Sequence, residues 1–314
     1  MASPPPDPSF ILRGASSPIT SLAFSSPHTL YSGTLDGKVL QWSLASRRVQ
    51  SKIDGHEGHT VLWVCPLSED CVLSQGRDGF VKSWQYQEGS FTNTGNMRCA
   101  SMGFCGSSTV LHNNSQLIAT PSTVTSHVDI YDLQSKHCVM ALKPDCSSQK
   151  VGICMSIKTA NSESENNQIL IGYENGSVTL WDFRTQKCVS TLETLHGDSV
   201  MCMGFSSSSR KGISGSVDNK LVCWRVDTES CLQKTGELEI TNPGLNDIVV
   251  RSDDKIVACA GWDNTIRLFG LKKMKPLAVL CYHRDSAQCL AFSQDNLLAC
   301  GSKDQLISVW DIYR

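Results

Sequence analysis

Three residue types that together can perform acyl transfer recur in this chain at matched positions. His56, Ser74 and Asp78 are followed by Trp84, and His196, Ser214 and Asp218 are followed by Trp224. An incomplete copy has His283, Asp304 and Trp310, with Cys300 where the hydroxyl would stand. A serine nucleophile, an imidazole base and an orienting carboxylate would make a hydrolytic triad. A catalytic centre is needed only once, however, and these residues return with the period of the chain, so they read as structural. The sequence has no G-x-S-x-G elbow, no G-x-x-x-x-G-K-[ST] loop, no H-E-x-x-H and no zinc-type cysteine spacing. No nucleophile, metal ligand or cofactor site is nominated, and the expectation is a protein without enzymatic activity.

The elements that must hold these residues are legible from the turns. Asp36, Asp78, Asn175, Asp218, Asp263 and Asp304 are each followed six residues later by an aromatic: Trp42, Trp84, Trp181, Trp224, Phe269 and Trp310. Tyr131 fills the remaining gap, with Thr125 at its turn position. Successive aromatics lie 42, 47, 50, 43, 45 and 41 residues apart. Around each turn the same order returns: an apolar alternation (ITSLAFS, AQCLAFS), a small apolar strand (TLYSG, NLLACGS), the aromatic strand (KVLQWSL, LISVWDI) and a fourth run (VQSKIDGH, PLAVLCYH). Short β-rich runs between Gly, Asp, Asn and Ser turns are strand and hairpin signals. Nothing sustains helical spacing. Four strands in about 45 residues describe one blade of a propeller.

Trp181-Asp182 and Trp310-Asp311 are literal WD dipeptides, and Gly55-His56 is a literal GH. Over essentially its whole length the chain resembles the WD-repeat family. The resemblance implies an all-β, seven-bladed propeller. It also implies that the His before a blade, a second-strand Ser or Thr, the turn Asp and the Trp form a buried hydrogen-bonded set. The residue just before the turn Asp is then expected on a binding face: Leu35, Arg77, Glu174, Val217, Trp262 and Lys303. Of these, Arg77, Glu174, Trp262 and Lys303 are the candidate partner-binding residues, since Trp and Arg are enriched in interface hot spots. Trp181-Asp182-Phe183-Arg184 fits the W-D-x-R pattern of propellers that dock cullin-type ubiquitin ligases, with Arg184 as the docking residue. That gives an alternative reading as a substrate receptor.

Seven four-strand blades need 28 strands, and the C-terminal blade supplies three. The segment SFILRG precedes the first unit and belongs to no blade of its own. Phe10 to Arg13 is therefore expected to complete the C-terminal blade and close the ring, with residues 1–9 a disordered Pro-rich tail and residues 1–314 one propeller domain. Pro4, Pro5, Pro6 and Pro8 forbid a helix before Phe10. Pairing with a G-protein γ subunit through an N-terminal helix is not expected.

Composition narrows the partners. Lys+Arg (28) nearly balance Asp+Glu (30), which leaves no footprint for nucleic acid or an anionic membrane. Arg47-Arg48 and Lys272-Lys273-Met274-Lys275 are short basic clusters that read as solvated loops. The 15 cysteines are odd in number and sit mostly in apolar runs, which suggests a reducing compartment, cytoplasmic or nuclear. No apolar run reaches the length of a membrane span. The sequons at Asn113 and Asn175 read as chance matches, and NSESENNQ (Asn161 to Gln168) as a polar insertion in which Ser162 could accept phosphate.

PPPDPSFILRG, LSQGRDG, GYENGSVTLWD, TNPG, AGWDNTIRLF, MKPLAVL and GSKDQLISVW together resemble one branch of WD-repeat proteins, the family of ASTRA-associated protein 1. The resemblance implies a non-catalytic scaffold that assists maturation and stability of phosphatidylinositol-3-kinase-related kinases with the Tel–Tti co-chaperone complex and its chaperones. A monomer with protein partners is expected.

Overall fold

The computed structural model describes residues 6–112, 115–144, 150–160 and 168–312. Ser162 and Asn113 lie outside them. Every regular element in the described residues is a strand, and the 28 strands form seven four-stranded antiparallel sheets. The fold is an all-β, seven-bladed β-propeller.

The chain divides into two compact units, Met1–Asn96 with Leu245–Arg314, and Met97–Gly244. The first unit opens with β1 (Phe10–Leu12). It continues with one sheet of β2 (Ile19–Ser26), β3 (Thr29–Thr34), β4 (Lys38–Ser43) and β5 (Arg48–Asp54), then a second of β6 (Val61–Pro66), β7 (Cys71–Gly76), β8 (Phe80–Gln87) and β9 (Ser90–Arg98). The second unit holds blade 3, of β10 (Ser108–His112), β11 (Ser115–Pro121), β12 (Val128–Asp132) and β13 (Cys138–Leu142). Blade 4 is β14 (Cys154–Thr159), β15 (Gln168–Tyr173), β16 (Val178–Asp182) and β17 (Lys187–Leu192). Blade 5 is β18 (Cys202–Ser206), β19 (Lys211–Gly215), β20 (Lys220–Val226) and β21 (Leu232–Glu239). The first unit resumes with blade 6, of β22 (Leu245–Val250), β23 (Ile256–Gly261), β24 (Thr265–Gly270) and β25 (Lys275–Cys281). Blade 7 has β26 (Ala287–Phe292), β27 (Leu297–Ser302) and β28 (Ile307–Asp311).

All seven repeat aromatics fall in the third strand of their blades. Second strands run nearly continuously buried, as in β23 and β27, whereas outer strands alternate, as in β5. Small residues in the second strands let the next blade come close. A Cβ at Gly33 would sit 2.5 Å from Val61 Cγ1, and one at Gly301 would sit 2.4 Å from Ile19 Cγ2. Real Cβ atoms do not approach that closely, so glycine at these sites sets the spacing of blades 1, 2 and 7.

Strand β1 pairs antiparallel with β28, Phe10 opposite Val309, Ile11 opposite Ser308 and Leu12 opposite Ile307. The pairing extends backwards through Ser9, whose N–H donates to Val309 O (2.8 Å) and whose Oγ accepts from Asp311 N–H (3.1 Å). It stops at Leu12, one residue short of the expected Arg13. Gly14 has φ of 128° and turns the chain, and the Arg13 guanidinium donates to Tyr282 Oη (3.3 Å) instead. Leu12 is fully buried in a cluster with Ile19, Leu30, Trp42, Ile307 and Val309, and Arg47 covers the Phe10 ring at 4.9 Å.

Candidate functional site

The triad-like residues meet, but in the interior. In blade 2, His56 Nδ1 lies 2.9 Å from Asp78 Oδ2 and His56 Nε2 lies 2.7 Å from Ser74 Oγ, which also accepts from Trp84 Nε1 (2.8 Å). Lys82 Nζ approaches the same carboxylate at 2.8 Å and donates to Gly55 O. Burial alone would raise the Asp78 carboxyl, but hydrogen bonds from His56 and Lys82, with their charge, hold it down at about 2.

Blade 7 corrects the sequence reading. His283 Nδ1 lies 3.0 Å from Asp304 Oδ2, and its Nε2 lies 2.8 Å from Ser308 Oγ, not from Cys300. Trp310 Nε1 donates to the same hydroxyl at 2.8 Å. Cys300 and Ser308 are cross-strand partners, so the hydroxyl has moved to the third strand without changing place in the blade. Blade 4 does the same, with Trp181 Nε1 donating to Thr179 Oγ1 (2.8 Å), directly opposite Ile171.

Blade 5 has all four residue types yet closes only in part. His196 Nε2 reaches Ser214 Oγ at 2.9 Å, but Nδ1 stands 3.5 Å from Asp218 Oδ2 and makes no hydrogen bond, and Trp224 Nε1 has no partner. The cause is local. Trp224 faces Gly212 across the ladder, settles over it, and stacks on Phe205 with centroids 5.8 Å apart. Burial lowers the His196 and His283 imidazoles, against the pull of Asp218 and Asp304 respectively.

These sets can do no acyl transfer. Ser74, Ser214 and Ser308 are fully buried, and in blades 2 and 7 the hydroxyl is held by both imidazole and indole. The carboxylate of the turn Asp can only accept, so it takes the proton on Nδ1, and the Ser hydroxyl accepts from the Trp indole. In blade 6, where Asn242-Pro243-Gly244 stands in place of a His, Arg267 grips Asp263 with two bonds of 3.0 and 2.6 Å. Sequence reasoning passed over Arg267. Its signal is its position two residues before the aromatic, which Ser308 and Thr179 also occupy.

The accessible candidates sit on the second-to-third-strand turns, each tied to its own blade. Backbone N–H groups of Leu35, Arg77, Glu174 and Lys303 donate to Pro18, Thr60, Ile153 and Ser286 carbonyls at 2.9–3.0 Å. Leu35, Glu174 and Lys303 are exposed, whereas Arg77 and Val217 are half-buried. The Glu174 carboxylate also accepts from Ile153 N–H at 3.1 Å. Trp262 is 44% exposed, and its Nε1 donates to Asn246 Oδ1 at 2.7 Å. Asn246 Nδ2 in turn donates to Ser286 Oγ and Ala287 O at the start of blade 7. The indole therefore stands outward on a rigid polar strut rather than folding into the core. Arg184 is also outward, its side chain 67% exposed and 3.8 Å from Asp182.

A cleft of about 180 Å³ in the second unit lies among Ala100, Met102, Ser122, Thr125, His127 and Cys154. Its lining has no carboxylate, lysine or arginine, and burial pushes the Cys154 thiol beside His127 up to about 12, far from a thiolate. Among the described residues no cluster of His, Cys, Asp or Glu could hold a metal ion, and no helix is long and apolar enough to cross a membrane.

Residues 68–277 match the family described as nucleolar protein 10-like, N-terminal domain, a β-propeller model. Residues 6–43 and 274–311 match the WD domain, G-beta repeat. The chain is 41% identical over 319 residues to guanine nucleotide-binding protein subunit beta-like protein 1 of Mus musculus, covering 99% of this chain and 97% of that protein. It is 29% identical over 376 residues to ASTRA-associated protein 1 of Schizosaccharomyces japonicus and 26% identical over 371 residues to that of Schizosaccharomyces pombe. Both alignments cover 98% of this chain and 99% of the relative.

Proposed function

The chain belongs to the WD-repeat β-propellers matched by the nucleolar protein 10-like model and, within them, to the family of guanine nucleotide-binding protein subunit beta-like protein 1 and ASTRA-associated protein 1; from that membership we propose a non-catalytic scaffold that works with the Tel–Tti co-chaperone complex. In that role it supports maturation and stability of phosphatidylinositol-3-kinase-related kinases, in the cytoplasm or nucleus. The observation that carries the reading is the similarity to proteins named ASTRA-associated, which covers 98% of this chain and 99% of those relatives. The internal burial of every triad-like serine fits it, since no substrate could reach them.

Partner contact is assigned to the turns that carry Arg77, Trp262 and Lys303 in the first unit and Glu174 in the second. Trp262 is the anchor, because an indole held upright by Asn246 loses little freedom on burial. Affinity purification with mass spectrometry tests this in one experiment. The wild-type chain recovers Tel–Tti components and kinase, and Trp262→Ala with Arg77→Glu loses them while the melting temperature holds. A second reading, docking to a cullin adaptor through Arg184, is favoured by the outward guanidinium of that residue. Recovery of such an adaptor, lost in Arg184→Ala, with no Tel–Tti component, would overturn the first reading.

A further inference from the structure

Strand β25 shows two exposed large aliphatic side chains to solvent, where the outer strands β13 and β17 show one each, Val139 and Val189. It is the last strand of its sheet, so its outer backbone edge faces no strand among the described residues. Leu280 is buried and Ala278 packs against the core, while Lys275, Leu277, Val279 and Cys281 are exposed. Leu277 is 39% and Val279 45% exposed. Edge strands are normally guarded by charge along their length, as in β5, where Arg48, Gln50, Lys52 and Asp54 occupy the exposed positions. Here the only guards lie at the start, at Lys275 and Pro276.

That start is strongly basic. Lys272 and Lys273 are exposed in the turn entering β25, which Met274 tightens with φ of 50°. Lys255 joins them from the neighbouring hairpin, because Leu271 N–H donates to Lys255 O at 2.9 Å; its own side chain is 76% exposed. Of the carboxylates nearby in sequence, Asp253 is gripped by Arg251 at 2.8–2.9 Å and also lies 3.9 Å from Lys255 Nζ, in an exposed pair that leaves the lysine open to solvent. Four lysines thus stand at one end of an apolar open edge, in a chain of net charge −2. Trp262 lies at the opposite end of β24, so the two surfaces can be occupied independently.

We propose that β25 is a docking edge for an extended acidic segment of a partner protein, which adds to blade 6 as a fifth strand. Its backbone pairs with the outer edge of β25. Its aliphatic side chains cover Leu277 and Val279, and its carboxylates meet Lys255, Lys272, Lys273 and Lys275. Charge selects an acidic peptide, and the ladder of main-chain bonds selects an extended one. The edge would accept such a segment whichever assembly the chain enters.

The probe is a fluorescein-labelled eight-residue peptide of alternating Glu and Val, titrated into the full chain and read by fluorescence anisotropy. Binding is expected to weaken about tenfold in Lys272→Glu/Lys273→Glu/Lys275→Glu and on raising salt. It should also weaken about tenfold in Val279→Lys, and with a peptide N-methylated at alternate amides. Lys52→Glu on β5 should leave it unchanged. Absence of binding to the wild-type chain overturns the proposal, as does equal binding of the N-methylated peptide, which would reduce the edge to a charged patch. Tighter binding of single-stranded RNA or phosphatidylserine vesicles through the same lysines would also overturn it.

Discussion

Blades 5 and 7 carry the same buried parts and assemble them differently. In blade 7 the chain Asp304, His283, Ser308, Trp310 is continuous, each contact between 2.8 and 3.0 Å. In blade 5 only the His196–Ser214 contact forms, and both ends of the chain are open. What separates them is the residue facing the Trp across the ladder. Leu298 faces Trp310 and keeps the indole upright beside its serine, whereas Gly212 faces Trp224 and leaves a gap into which the ring sinks. Having the right four residues is therefore not enough. A fifth, apolar residue decides whether the indole can reach its hydroxyl.

The comparison can be broken most severely through β1. Blade 7 owes its fourth strand to Phe10–Leu12, and Ile11 lies directly opposite Ser308. A chain lacking residues 1–14 should be recovered insoluble or unfolded, because loss of buried Leu12 alone costs about 2–5 kcal/mol and an open edge remains. A soluble chain with an unchanged melting temperature would refute that closure.

Ser308→Ala against Ser214→Ala tests the two chains directly. The first strands both His283 Nε2 and Trp310 Nε1 and should cost about 2–4 kcal/mol. The second strands only His196 Nε2 and should cost about 1–2 kcal/mol. Urea unfolding of the two variants gives the difference, and equal losses would mean that the continuous chain is no more cooperative than its parts.

The smallest effect is that of pH. Both imidazoles titrate below the ordinary value of 6.5 in the folded chain, so the unfolded state binds protons first as pH falls. Stability should then begin to drop as pH falls through the unfolded value of 6.5 and go on falling until the folded imidazoles are themselves protonated. His196→Gln should flatten the curve. Asp78, held at about 2 against an unfolded value near 3.9, stays ionised across that window, and its stabilisation is lost only as pH falls from about 4 through 2.

How much of this could be read beforehand divides along the same line. The period, the strands and the placement of Trp42, Trp84, Tyr131, Trp181, Trp224, Phe269 and Trp310 were legible, because turn and strand signals act within a few residues. The partnership of β1 with β28 was legible too, by counting strands. Side-chain partners were not, since they depend on what stands opposite. Cys300 looked like a vacant hydroxyl until its neighbour across the ladder proved to be Ser308. Arg267 drew no notice in the sequence and is buried on Asp263. Trp262 could be picked out as an aromatic in a turn, while its strut, Asn246, lies 16 residues away on another strand.

The pairing of Phe10 with Val309 also sets a timetable. During synthesis β1 has no native partner until residues 307–309 have been made, 297 residues after Leu12. At about 5–20 residues per second, that interval is roughly 15–60 s. For its duration Phe10 and Leu12 are exposed apolar side chains at the head of an unfinished chain. Contacts this distant in sequence are also the slowest to form. A propeller latched in this way should lean on folding helpers during its own birth, and pulse-labelled chains should reach protease resistance only once residues 307–309 have left the ribosome.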